Sequence, residues 1–245
     1  MNTEAKPKVI KAEQQYDLRG IFGTLGNYLN PSLATAEFID NAIDTLLPNG
    51  EKMTFLVDFY PHEQRVVLVN EGTVGMPSDQ MQEYVRFGRF DRIHEISQQK
   101  MHGFGGKMAA LWWLNEGQSS FSLLSTPPDS DITYEMTIAD WHNSLLKKDV
   151  EWDIHETGTE IPMPNGYTRM ILENVDETRI TKTKPQLINV AEYLGLTYGK
   201  YIETGLLDIK LRLIRRGTAE INVQPKTIRF KEGAKTHKTQ APMTC

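Results

Sequence analysis

Ala34-Thr35-Ala36-Glu37-Phe38-Ile39-Asp40-Asn41-Ala42-Ile43-Asp44 is the stretch on which the fold turns. Asn30-Pro31-Ser32 interrupts the chain just before it, with Ser32 the candidate cap. Pro48-Asn49-Gly50 is a strong stop after it, so the pattern predicts a helix over 33–47. At about 100° per residue, Phe38, Ile39, Ala42, Ile43 and Leu46 share one broad face. Glu37, Asn41 and Asp44, at i, i+4 and i+7, form a narrow stripe on the opposite side. A solvated face is the ordinary use of such a stripe. A carboxylate one turn from a carboxamide has a second use: Glu37 can act as general base toward a water, and Asn41 can offer Mg²⁺ a hard oxygen ligand.

Downstream, β-rich runs at 53–60 and 65–70 meet across a turn at Pro61-His62-Glu63. The second leads into Val69-Asn70-Glu71-Gly72-Thr73-Val74-Gly75-Met76. Glycines there let the backbone turn sharply and approach a flat ligand, and an acid or amide at the strand end can accept from an exocyclic amine. A plain strand–turn–helix connection is the bland alternative. A short helix at 78–87 follows, and 88–106 reads as a loop, charged at first and glycine-rich at its end. His102-Gly103-Phe104-Gly105-Gly106-Lys107 then enters an apolar helix at 107–114. Successive glycines expose backbone N–H groups and the helix start adds its dipole. A lysine in the first turn is disfavoured unless an anion is near, so the segment is a phosphate-site candidate. Its spacing is neither a P-loop nor a dinucleotide fingerprint.

The rest reads as strands at 119–126, 133–139, 158–163, 168–174 and 207–214, a helix at 185–198, and weak β character from 219 to 230. A helical pattern also runs from 15 to 28. Helices come first, then strands and helices mix without a βαβ rhythm. This predicts an α+β fold, a two-layer sandwich with helices on one face of a mostly antiparallel sheet. The expected division is a flexible segment at 1–14, one domain at 15–230 and a polar tail at 231–245.

Composition excludes several classes. The 245 residues are 39% hydrophobic and 24% charged, with net charge −5. The single cysteine, Cys245, has no partner for a disulfide. No apolar run reaches the ~20 residues of a membrane span, and no secretory h-region is present. The expectation is an intracellular protein, cytoplasmic or nuclear, with no membrane partner. The six histidines lack zinc-site spacing and no serine-hydrolase elbow is present. Trp112-Trp113 reads as core. Residues 210–238 hold nine Lys or Arg and two acids: a solvated strand face and tail, or a weak basic patch for nucleic acid.

The order of the three segments resembles the Bergerat-fold ATPases, the superfamily of gyrase B subunit, the ninety-kilodalton heat-shock chaperone, histidine kinases and MutL. Glu37–Asp44 is close to the N-box of the gyrase and chaperone branches, and Val85-Arg86-Phe87-Gly88-Arg89 is similar to the lid segment of the microrchidia (MORC) type. Residues 209–217 resemble the strand that closes that domain. The resemblance covers roughly 15–220. It implies ATP and Mg²⁺ as cofactors, Glu37 as the residue polarising the attacking water, Asn41 as Mg²⁺ ligand and Asp44 lining the nucleotide. It implies Gly75 and Met76 as adenine wall, Phe87 and Gly88 in the lid, and Gly103, Phe104, Gly105, Gly106 and Lys107 at the phosphates. Thr168 would sit under the adenine, with Thr159 as the competing position. The family's second box opens with an aspartate in D-x-G-x-G. Counting back from Gly75 puts Glu71 in its place, and counting forward from the strand puts Asn70 there with one extra residue in the loop. The resemblance further implies slow hydrolysis coupled to lid closure and an ATP-dependent homodimer, with 1–14 as exchange strap. The alternative is a nucleotide-sensing or catalytically degenerate scaffold of the same fold, acting through protein or nucleic-acid partners.

Overall fold

The computed structural model describes residues 28–46, 51–85, 105–146, 152–163 and 166–226. Its first helix, α1 (Pro31–Ile43), is capped by Asn30 and not by Ser32. The Asn30 side-chain oxygen accepts from the backbone N–H groups of Ser32 and Leu33, at 2.9 and 3.0 Å. Pro31 then occupies the first turn, where its missing N–H costs nothing. Asp44 closes the helix, and Leu46 leaves it to bridge Thr73.

Among the described residues, eight strands form one sheet: β1 (Met53–Tyr60), β2 (Arg65–Thr73), β3 (Ser120–Thr126), β4 (Ser130–Ala139), β5 (Ile154–Met163), β6 (Gly166–Glu173), β7 (Leu207–Ile214) and β8 (Thr218–Asn222). Their order is β5-β4-β3-β6-β2-β1-β7-β8, antiparallel throughout except for the parallel pair β1–β7. Alternation along β1 buries Met53, Phe55, Val57 and Phe59 on one face. The matching residues across the sheet, Leu68, Met170, Leu123 and Met136, extend that apolar surface.

Helices α2 (Ser78–Val85), α3 (Gly105–Trp113), α4 (Trp141–Leu146), α5 (Lys184–Thr197) and α6 (Gly199–Glu203) join α1 in the second layer. Trp113 is the keystone. It stacks on Phe38 of α1 at 5.9 Å and stands edge-on to Phe59 of β1 at 6.4 Å. Phe121 of β3 takes Tyr84 of α2 at 6.1 Å and Trp141 of α4 at 4.5 Å. Helix α5 begins in a Thr183/Gln186 capping box and buries Leu187, Val190, Ala191 and Leu194. The architecture is the two-layer α+β sandwich that the sequence pattern predicts.

Several bounds differ from the sequence-based expectation. β2 continues to Thr73 through a bulge, β4 and β5 begin earlier, and the two short helices α4 and α6 were not foreseen, because five or six residues carry too little periodicity. The expected helix at 15–28 lies outside the described residues except for Tyr28. So do segments 1–14 and 231–245. No helix among the described residues is long and apolar enough to cross a membrane.

Candidate functional site

The Glu37–Asn41 stripe does not face solvent, the ordinary use of such a stripe, but meets the start of α3. That helix begins at Gly105, two residues before the expected start, so both glycines are helical. A Cβ on Gly105 would overlap Oε2 of Glu37, and one on Gly106 would overlap Nδ2 of Asn41 and stand 3.2 Å from the Tyr84 hydroxyl. The paired glycines let two helices approach until the polar side chains of one touch the backbone of the other. The orphan N–H groups of the first turn of α3 therefore lie beside a carboxylate and a carboxamide.

Glu37 is half-buried. Burial first, and the neighbouring Asp40 second, lift its carboxyl above the usual glutamate value. Asp40 is itself held from behind: the Tyr198 hydroxyl lies 2.8 Å from Asp40 Oδ1 and 2.9 Å from the Ala36 carbonyl. Asn41 Nδ2 is buried without a hydrogen-bond partner among the described residues. Such an orphan is costly, and it marks a polar place that a ligand or water can complete. Lys107, in the first turn of α3, is 4% exposed, and its Nζ lies 5.9 Å from the Tyr84 ring centroid. Asp44 is the exposed C-cap of α1.

A second polar group lies across the sheet on the same face. Asn70 of β2, Thr168 of β6 and Ser125 of β3 are register partners and are all buried. They continue the rows that further along are Leu68, Met170 and Leu123, which places them under the helical layer. Glu71 pairs with Tyr167 on the opposite face and is exposed. The extra residue in the loop is Gly72, with φ +84°, a bulge between Glu71 and Thr73 that returns Thr73 to the face of Asn70. The Thr73 hydroxyl donates to Asn70 Oδ1 at 3.3 Å and accepts from the Gly75 N–H at 3.4 Å. Gly75 has φ +61°, and a Cβ there would lie 2.6 Å from the Thr126 carbonyl oxygen, so only glycine fits the turn. The Met76 N–H donates to Ser125 Oγ at 2.7 Å. The Val74 N–H donates to the Thr45 carbonyl at 2.9 Å, which ties this turn to the end of α1.

Thus the fold brings Glu37, Asn41, Gly105, Gly106 and Lys107 together, and separately aligns Asn70, Gly75, Met76 and Thr168. The sequence matches no protein-family model and none of the curated proteins. Thr159 belongs to β5, the edge strand, separated from β2 by three others, whereas Thr168 is the direct partner of Asn70. Phe87, Gly88, Gly103 and Phe104 lie outside the described residues, as does the expected lid loop at 88–106 except for Gly105 and Gly106, which are helical. Ser125, Thr73 and Tyr84 were missed in the sequence. For Ser125 a signal existed: Phe121, Leu123 and Ser125 share the inward alternation of β3, and the last is polar.

The basic segment is partly consumed by the fold. Arg212 pairs with Asp58, and Lys226 lies 2.7 Å from Glu192. Arg215 and Arg216 are exposed, and residues from 227 onward lie outside the described residues.

Proposed function

We propose that this chain is the ATPase module of a conformational-switch protein, binding Mg²⁺ and ATP and hydrolysing the γ-phosphoanhydride slowly, as the resemblance to the Bergerat-type ATPases implies. The observation that carries this reading is the contact of Glu37 and Asn41 with the Gly105-Gly106 start of α3. It sets a general base, a neutral oxygen ligand and an anion-attracting helix start around one point.

Glu37 takes a proton from the attacking water. Its raised affinity for protons suits that task, since a more basic carboxylate accepts a proton more readily than an ordinary one. Asn41 fits Mg²⁺ as a single hard donor, the remaining ligands being phosphate and water oxygens. Mg²⁺ bound there would neutralise charge on the terminal phosphates. The first N–H groups of α3 hold phosphate oxygens, and Lys107 adds positive charge beneath them. Thr168 and Asn70 form the floor for the base, with Gly75 and Met76 at its edge.

Phosphate release from ATP by the whole chain, with and without Mg²⁺, tests the reading when paired with Glu37→Ala and calorimetric titration. Binding retained with turnover lost supports it. Equal turnover in both proteins removes Glu37 as the base, and none in either removes hydrolysis. Coupling to dimerisation and an intracellular setting belong to the same proposal. A monomer on size exclusion with a saturating non-hydrolysable ATP analogue removes the coupling.

A further inference from the structure

We propose that the segment after β8, residues 223–226, is a strap whose seating on the α5–α6 junction sets the position of α1 through Tyr198. The link is built from contacts of the chain alone, and its consequence for turnover rests on the hydrolysis reading.

Backbone seats the strap. Gly195 lies in the last turn of α5, and a Cβ there would overlap the Gln224 carbonyl oxygen. Gly199 opens α6, and a Cβ there would stand 3.2 Å from the Lys226 carbonyl oxygen and 3.8 Å from Pro225 Cβ. Glycine is a poor helix residue, and what Gly195 admits in return is this close approach. The Lys226 N–H donates to the Gly195 carbonyl at 2.9 Å, and Lys226 Nζ lies 2.7 Å from Glu192 Oε1. At the other end Val223 is buried, and its N–H donates to the Ile209 carbonyl of β7 at 2.9 Å. The strap is thus anchored in the sheet at its start and on the helices at its finish.

Tyr198 stands between the two glycines, where α5 ends and α6 begins. Its N–H donates to the Leu194 carbonyl at 2.8 Å, and its carbonyl accepts from the Ile202 N–H at 3.1 Å, so it moves with both helices. Its hydroxyl reaches α1 at the Ala36 carbonyl and at Asp40 Oδ1, the residues immediately before Glu37 and Asn41. The side chain is buried, so it has little room to absorb a shift of its own backbone. Displacing the strap at Gly195 therefore reaches Glu37 and Asn41 through one phenol. Strap seated and strap lifted are the two arrangements, and α1 differs between them.

Gly195→Ala tests the link in the whole chain. The obstacle is a backbone carbonyl that no rotamer change clears, so the strap must lift, while alanine favours the helix it joins. In the unliganded protein we expect faster hydrogen exchange at the strap amides and shifted amide resonances for residues 36–41. Turnover should fall about tenfold, since a small misplacement of catalytic groups is costly. The same substitution in a Tyr198→Phe background should move neither the resonances nor the turnover further, because the link is already cut. Lys226→Pro removes the strap's N–H and its ammonium at an exposed position, and should reproduce the effects if Gly195→Ala does not fold. Three results each overturn the coupling: strap exchange unchanged in both variants, a lifted strap with unmoved 36–41 resonances, or shifts undiminished without the phenol. Absent turnover in the wild-type protein removes the hydrolysis reading alone, and the resonances then decide the coupling.

Discussion

Gly105 stands where any side chain would strike Glu37: a Cβ there would overlap Oε2 and lie 2.7 Å from Cδ. The obstacle is the tip of a flexible side chain and not backbone, so the two helices need not part. Gly105→Ala should displace the carboxylate while sparing the fold. Alanine also favours the helix over glycine by up to about 1 kcal/mol, which offsets the local cost. We expect stability within about 1 kcal/mol of wild type and turnover reduced by about 10²-fold, the usual worth of a positioned base. Thermal unfolding and phosphate release on one preparation check both parts. Unchanged turnover would mean that Glu37 is not the base.

Glu37→Gln separates chemistry from stability in the same place. Burial and Asp40 raise the Glu37 carboxyl above its ordinary 4.5, so the folded chain binds more protons than the unfolded chain just above that pH. Stability therefore falls as pH rises through this window, and the loss persists at neutral pH. Glutamine keeps the shape and removes the charge. The melting temperature at pH 7 should rise by on the order of 1–2 °C while hydrolysis drops by about 10²–10⁴-fold. In the wild-type protein hydrolysis should climb with pH through the raised carboxyl pKa, because the ionised form is the active one. A rate flat through the acid range would contradict the assignment.

The layers of the fold were legible because alternation in β1 and the one-sided apolar face of α1 each have a single burial solution. Spacing placed Glu37 and Asn41 on one stripe of α1, but left a solvated face as its ordinary use. What was not legible was its neighbour: the start of α3 at Gly105 depends on tertiary contact with α1, since glycines have poor helix propensity and read as loop. The choice between Asn70 and Glu71 was closed to sequence for a different reason. One inserted residue, Gly72, shifts every count by one, and only the cross-strand register reveals that Thr73 returns to the face of Asn70. Tyr198 illustrates a third limit, since it reaches Asp40 across 158 residues of chain.

Tyr198→Phe tests that long contact. Burial, and Asp40 after it, push the phenol well above its ordinary value, so it remains a donor at every working pH. Removing the hydroxyl leaves Asp40 unanchored and costs about 0.5–1.5 kcal/mol, seen as a fall of a few degrees in melting temperature. Asp40 is exposed, so once released its carboxylate turns toward water and acts less on Glu37. The acid limb of the pH–rate profile should then move to lower pH. A stability loss with an unmoved profile would assign Tyr198 to packing alone.

Arg212 bears on the basic segment. It lies beside Asp58 in the parallel β1–β7 register, with Nε 2.6 Å from Oδ1 and a terminal nitrogen 2.5 Å from Oδ2. The Asp58 side chain is 6% exposed and that of Arg212 34%. Arg212→Met strands a buried carboxylate, and a loss of about 3–5 kcal/mol is expected at pH 7. Replacing both, Asp58→Leu with Arg212→Met, should recover most of the loss, because a packed apolar pair avoids both desolvation costs. Urea unfolding of the wild-type protein and both variants at pH 7 checks this. If Arg212→Met is neutral, the pair contributes nothing to the fold, and Arg212 returns to the set of cations available to a phosphate-bearing partner.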